Sequence, residues 1–174
     1  MAAPAELGLR NTPSWRPQRF SKATGRHNPA MDGFAEALHQ VWIGADFPTP
    51  ASILRNVKKE DAATIPAGFK YSLLTLVEHT DFWQRIWLGR LTGSRRPDMT
   101  KDWRVPDVSE WAEVRKRFLE NFEKALAVAQ AEPFVHRLKS DDEACRVLTQ
   151  IAVHNAYHVG QFVLVKRAVR GGNG

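Results

Sequence analysis

Apolar residues recur every three or four positions through four stretches of the chain, with proline, glycine and charge gathered between them. The first stretch opens at Asn28-Pro29, a good cap followed by a residue suited to the first helical turn. Phe34, Leu38, Val41 and Trp42 form its stripe, which ends near Gly44. A proline-punctuated connection with a short helix around Ala51–Asn56 leads to a second helix, expected from about Ser72 to Leu91 and stopped by Gly93. Its apolar side is Leu73, Leu76, Val77, Trp83, Ile86 and Trp87.

The third helix begins at "DVSEW", where Asp107 and Glu110 have capping-box spacing. Trp111, Val114, Phe118, Phe122, Ala125 and Ala129 supply its buried face. Glu113–Arg117 and Glu120–Lys124 stand four apart on the wetter side, as ion pairs worth roughly 0.2–0.5 kcal/mol each. The fourth helix opens at "SDDE", with Ser140 and Glu143 again in capping-box spacing. It closes on Lys166, Arg167 and Arg170 before Gly171 and Gly172, a cationic last turn that suits the helix dipole.

No stretch reads convincingly as a strand, so the expected fold is all-α, a four-helix bundle. Between the second and third helices lies "TGSRRPDMTKDWRVPD", long enough for a crossover connection.

From Val147 to Val165 the fourth helix carries no Asp, Glu, Lys or Arg. That is about the length of a membrane span, but Gln150, His154, Asn155, His158 and Gln161 would be costly in lipid. A bundle's central helix, the most buried of the set, explains it better, and no membrane partner is expected. Gly160 would then let a neighbouring helix approach closely.

His154 and His158 project from one helical face, offset by roughly 40° and about 6 Å along the axis, and can share an ion. Asn155 stands where a metalloprotease HExxH motif would have its glutamate, so that mechanism is excluded. A third ligand must come from another buried face. Of the remaining histidines, His79 alone aligns with an apolar stripe, that of Leu76, Trp83 and Ile86. Spacing by itself also admits core histidines hydrogen-bonded within the protein. Gln161 shares the His154/His158 face and could orient a substrate or be a satisfied buried polar group. Asn155, Tyr157 and Trp83 flank the site, the last more readily explained by packing. Glu78 precedes His79 but points about 100° away and is not assigned as a base.

Charge and cysteine content narrow the rest. The net charge is +6, but residues 1–28 hold Arg10, Arg16, Arg19, Lys22 and Arg26 against Glu6 alone. Residues 1–28 are therefore expected to form a basic, flexible arm, and 29–174 the helical domain, with nucleic acid not an expected partner. Cys145 is the single cysteine, which excludes a disulfide within the chain and fits a reducing cytoplasm. As a nucleophile it is disfavoured.

"FKYSLLTLVEHTDFWQRIWLGRLTG", Phe69 to Gly93, and "HNAYHVGQFVLVKRA", His154 to Ala168, together with the tryptophan-bearing connection "KDWRVPDVSEW", resemble the DinB/YfiT-like superfamily. The resemblance covers roughly Pro29 to Gly171. It implies a four-helix bundle with a crossover and a divalent metal held by His79, His154 and His158. Members include thiol S-transferases using bacillithiol or mycothiol, a mycothiol-dependent isomerase, and proteins of no assigned activity; dimers are common.

The expected function is accordingly a divalent-metal protein, zinc or nickel by ligand type. Its expected activity is that of a metal-dependent thiol S-transferase or a hydrolase, acting on a small molecule, with a low-molecular-weight thiol as cofactor in the first case. A homodimer is the expected assembly. A bound metal can lower the pKa of a water or thiol, and no side chain stands out as a further acid–base catalyst. The alternative is a non-enzymatic metal- or small-ligand-binding bundle of the stress-response kind.

Overall fold

The computed structural model describes residues 29–43, 48–131 and 133–171. Among these every regular element is helical: α1 (Pro29–Ile43), α2 (Pro50–Leu54), α3 (Lys59–Ala63), α4 (Leu73–Thr92), α5 (Trp111–Gln130) and α6 (Asp141–Gly171). Single 3-10 turns at Met99–Lys101 and Val108–Glu110 interrupt the connection between α4 and α5. None of the described helices is long and apolar enough to cross a membrane. The basic segment 1–28, the Asn28 cap and the Gly44 stop lie outside the described residues.

Local chemistry sets the ends. Ser72 caps α4 by accepting from the Thr75 amide, and Gly93 ends it in the left-handed region at φ 77°. Asp107 and Glu110 form the reciprocal capping box at the turn that leads into α5. At α6 only half of the expected box forms. The Glu143 amide donates to Ser140 Oγ, while the Glu143 carboxylate turns away to Arg90, 3.3 Å distant.

Both α4 and α1 pack against α5 and α6. Two apolar clusters make the core. One joins Phe82–Leu91 of α4, Phe122–Ala129 of α5 and Ala144–Ala152 of α6. The other joins Leu73–Val77, Trp111–Phe118 and Val159–Val169. The pairing means that α4 and α5 run the same way and α6 runs opposite. Between the clusters lies a polar layer: Glu78, His79, Thr80, Asp81 and Gln84 on α4, Asn121 on α5, and Asn155 and His158 on α6, all buried.

Three sequence expectations are corrected here. The uncharged α6 is not buried all round, because Val153, Tyr157 and Leu164 are 64%, 64% and 56% exposed. Gly160 is exposed too, and a Cβ there would meet no described atom within 4 Å, so no described helix approaches it. Neither i,i+4 pair of α5 forms: Arg117 reaches Glu78 and Asp81, Lys124 donates to Asn121, and Glu120 pairs with Lys116 at 3.8 Å. At Arg117 a weak exposed pair gives way to buried carboxylates, whose charge needs compensation.

Candidate metal centre

His79 comes from the polar layer of α4, and His154 and His158 come from the gap between the apolar clusters of α6. One nitrogen from each ring lies within 4.8 Å of the other two. The ring centroids are 5.4 Å (His79–His154), 5.0 Å (His79–His158) and 4.4 Å (His154–His158) apart. Helical pitch puts His154 and His158 on one face of α6, and the packing of α4 against α6 brings His79 to them.

Hydrogen bonds fix two of the rings. His79 Nδ1 lies 2.6 Å from Asp102 Oδ1, and His158 Nδ1 lies 2.7 Å from Gln161 Oε1. A carboxylate and an amide oxygen only accept, so both Nδ1 atoms carry the proton and both Nε2 atoms keep a lone pair. His154 differs: among the described residues its buried Nδ1 has no partner. This ring therefore wants a partner that the described residues do not supply, and three neutral imidazoles are a donor set suited to a divalent ion.

Burial, as the largest cause, lowers the pKa of all three histidines. It takes His154 to about 3, with the neighbouring His158 and His79 adding to the effect. It takes His158 to about 4, against the opposing bond from Gln161. At His79 the carboxylate of Asp102 opposes burial.

The depressed values give a pH dependence to the metal-free protein. As pH falls below the ordinary value of 6.5, the unfolded chain takes up protons that the folded His154 and His158 refuse down to about 3 and about 4. Unfolding then binds protons, so stability is complete above about pH 6.5 and declines as the pH drops toward about 4. Urea midpoints at about pH 7 and about pH 5 check this; the lower pH is expected to give the lower midpoint, and equal midpoints would contradict it.

The residues around the rings form a strap and a rim. Asp102 Oδ1 also accepts from the Trp103 amide at 2.9 Å. Trp103 adopts φ 58°, a left-handed conformation that costs a non-glycine residue about 1–2 kcal/mol. In return its indole stacks on His79, centroids 3.6 Å apart at 14°, with Tyr71 stacked beyond it at 4.2 Å. Arg104 continues the strap by pairing with Glu78 at 3.3 Å and Glu110 at 2.9 Å. Three consecutive residues thus pin the connection onto the Glu78–His79 step of α4.

The flanking residues expected from sequence divide. Gln161 bonds His158, and its Nε2 donates to the Tyr157 hydroxyl at 3.2 Å. Tyr157 meets His158 edge-on at 5.0 Å. Trp83 is half-buried against the first apolar cluster, 6.4 Å from His154, while Trp87 is nearer at 5.1 Å. Asn155 faces the core, with its Nδ2 donating to the Ile151 carbonyl. Glu78 is held by Arg85, Arg104 and Arg117, as expected of a residue pointing away from the rings. Cys145 is buried, and burial raises its thiol pKa, which disfavours the thiolate.

The sequence does not identify Asp102 or Arg104, and it places Trp87 only on the apolar side of its helix, not beside the site. The available signal for Asp102 was a carboxylate beside the connection's tryptophan, since a ligating histidine needs an acceptor for its other N–H.

The family model described as DinB superfamily matches residues 51–162, a stretch that contains all three histidines and the strap. No curated protein matches the chain, and no solved structure does.

Proposed function

The chain belongs to the DinB superfamily, and on that premise we propose that His79, His154 and His158 bind one divalent metal ion, zinc or nickel, in a metal-dependent enzyme. The observation that carries this reading is the convergence of three neutral rings, two with their Nδ1 protons committed elsewhere. Packing of α4 and α1 each against α5 and α6 supports a four-helix bundle with residues 93–107 as its crossover. The domain so formed spans 29–174, with 1–28 as a basic arm.

When bound, such an ion supplies Lewis acidity, lowering the pKa of a water or thiol and polarising an electrophile. The chain's own residues arrange the rest. Asp102 holds the His79 tautomer and adds electron density to the ring. Gln161 does the same for His158 through a neutral acceptor, and Tyr157 steadies Gln161. Trp103 covers one face of His79, keeping water from it. Three protein ligands leave positions for substrate, as catalytic rather than closed structural sites do. The reaction classes that fit are thiol S-transfer, with a low-molecular-weight thiol, and hydrolysis of a small molecule.

The test is turnover by metal-loaded protein on a panel of thiol–electrophile pairs and hydrolysable esters and amides, before and after chelation. Metal-dependent turnover in either panel supports the reading. Tight metal binding without turnover in both would favour a non-enzymatic metal- or ligand-binding bundle. A homodimer joined through Val153, Tyr157 and Leu164 is the assembly we expect, and sedimentation at the 19.7 kDa mass of one chain would exclude it.

A further inference from the structure

We propose that the C-terminal end of α4 carries a second site, which binds the phosphate group of a small phosphorylated molecule. A cavity of about 560 Å³ opens there, lined by Gly89, Gly93, Ser94, Arg90, Arg95 and Arg96. Two glycines shape it. Arg96 lays its stem across Gly89, where a Cβ would sit 2.2 Å from Arg96 Cγ and 2.9 Å from the Ser94 carbonyl. Arg137 lies over Gly93, where a Cβ would be 2.6 Å from Arg137 Cδ. Gly89 and Gly93 are one turn apart, about 6 Å, so two arginine stems cross successive turns of one helix.

Among the described residues the charges are not balanced locally. Arg90 is paired with Glu143 at 3.3 Å. Among the described residues the guanidinium groups of Arg95, Arg96 and Arg137 make no hydrogen bond and no ion pair. Helix-end carbonyls do not occupy them: Leu88 O accepts from Thr92, Gly89 O from Gly93, and Leu91 O from the Arg137 amide. The helix dipole offers only about half a negative charge, too little for three cations. Arg95 and Arg96 line the cavity and Arg137 lies over Gly93 at its edge, so a dianion there would meet cations on two sides, and the guanidinium fork matches phosphate oxygens two at a time. The depression is open to solvent, with Ser94, Arg95 and Arg96 exposed along it, so a small anion can reach the guanidinium groups directly. Gly89 lies ten residues beyond His79, about 15 Å along α4, so the site is separate from the three histidines.

Calorimetric titration of the full chain with pyrophosphate at low salt tests this. The comparisons are Arg96→Gln/Arg137→Gln, which removes charge, and Gly89→Ala, which keeps every charge but displaces Arg96. Circular dichroism and metal content serve as controls for folding. Saturable one-to-one binding is expected, weakened about tenfold or more in both variants with metal content unchanged. The proposal is overturned if pyrophosphate does not saturate, or if both variants bind it as the wild type does. It is also overturned if a single-stranded oligonucleotide of about twelve residues binds more tightly than pyrophosphate, with the steep salt dependence of a polymer surface.

Discussion

Replacing Asp81 by alanine is expected to destabilise the protein by about 3–5 kcal/mol, the range for breaking one side of a buried ion pair. Asp81 is fully buried. It accepts from Arg85 at 2.9 Å, from Arg117 at 2.7 Å and from Asn121 at 2.7 Å. With Glu78, Glu110 and Arg104 these residues form a network in which three carboxylates balance three guanidiniums. Burial pulls the Arg117 pKa down, but Asp81 and Glu78 outweigh it, leaving the pKa raised and the group charged. Removing Asp81 would leave Arg117 and Arg85 sharing Glu78 alone, and Asn121 without its acceptor. Denaturant unfolding measures the loss. An Asp81→Ala protein within about 1 kcal/mol of wild type would mean that the network contributes little. Adding Arg117→Met to Asp81→Ala should recover part of the loss, because the stranded cation is then gone.

The second large effect concerns the strap. Asp102→Ala is expected to weaken metal binding about 10–100-fold, the usual consequence of deleting the partner of a ligating histidine. Two contacts go at once: the bond that holds His79 Nδ1–H, and the bond that holds the Trp103 amide in its left-handed turn. Asp102→Asn retains an acceptor without the charge, so its affinity should fall between wild type and alanine. Competition against a chromophoric chelator gives the three affinities. Equal affinities would show that the bond to His79 does not matter to the ion.

These two sites mark where sequence reading succeeds and where it stops. The ends of α4 and the turn into α5 were legible because Ser72, Gly93, Asp107 and Glu110 act over three or four residues. The three histidines were legible because pitch alone puts His154 and His158 on one face and places His79 on the apolar side of its own helix. Asp102 acts across 23 residues, from a connection without periodicity, on a partner chosen by how that connection folds back. Arg117 shows the same limit within a helix. Its i,i+4 neighbour Glu113 was the local choice, yet two carboxylates 36 and 39 positions away hold it. The exposure of one side of α6 was illegible for a related reason: an uncharged run reports which residues avoid charge, not which of its faces a neighbour covers.

The central claim is that one divalent ion sits between His79, His154 and His158. Metal content and affinity of the wild type, His154→Ala and His79→Ala proteins, each prepared metal-free and reloaded with zinc or nickel, test it most directly. One tightly held ion per chain in the wild type, lost in both variants while the helical content is kept, is the predicted result. Unchanged stoichiometry and affinity in both variants would contradict the assignment.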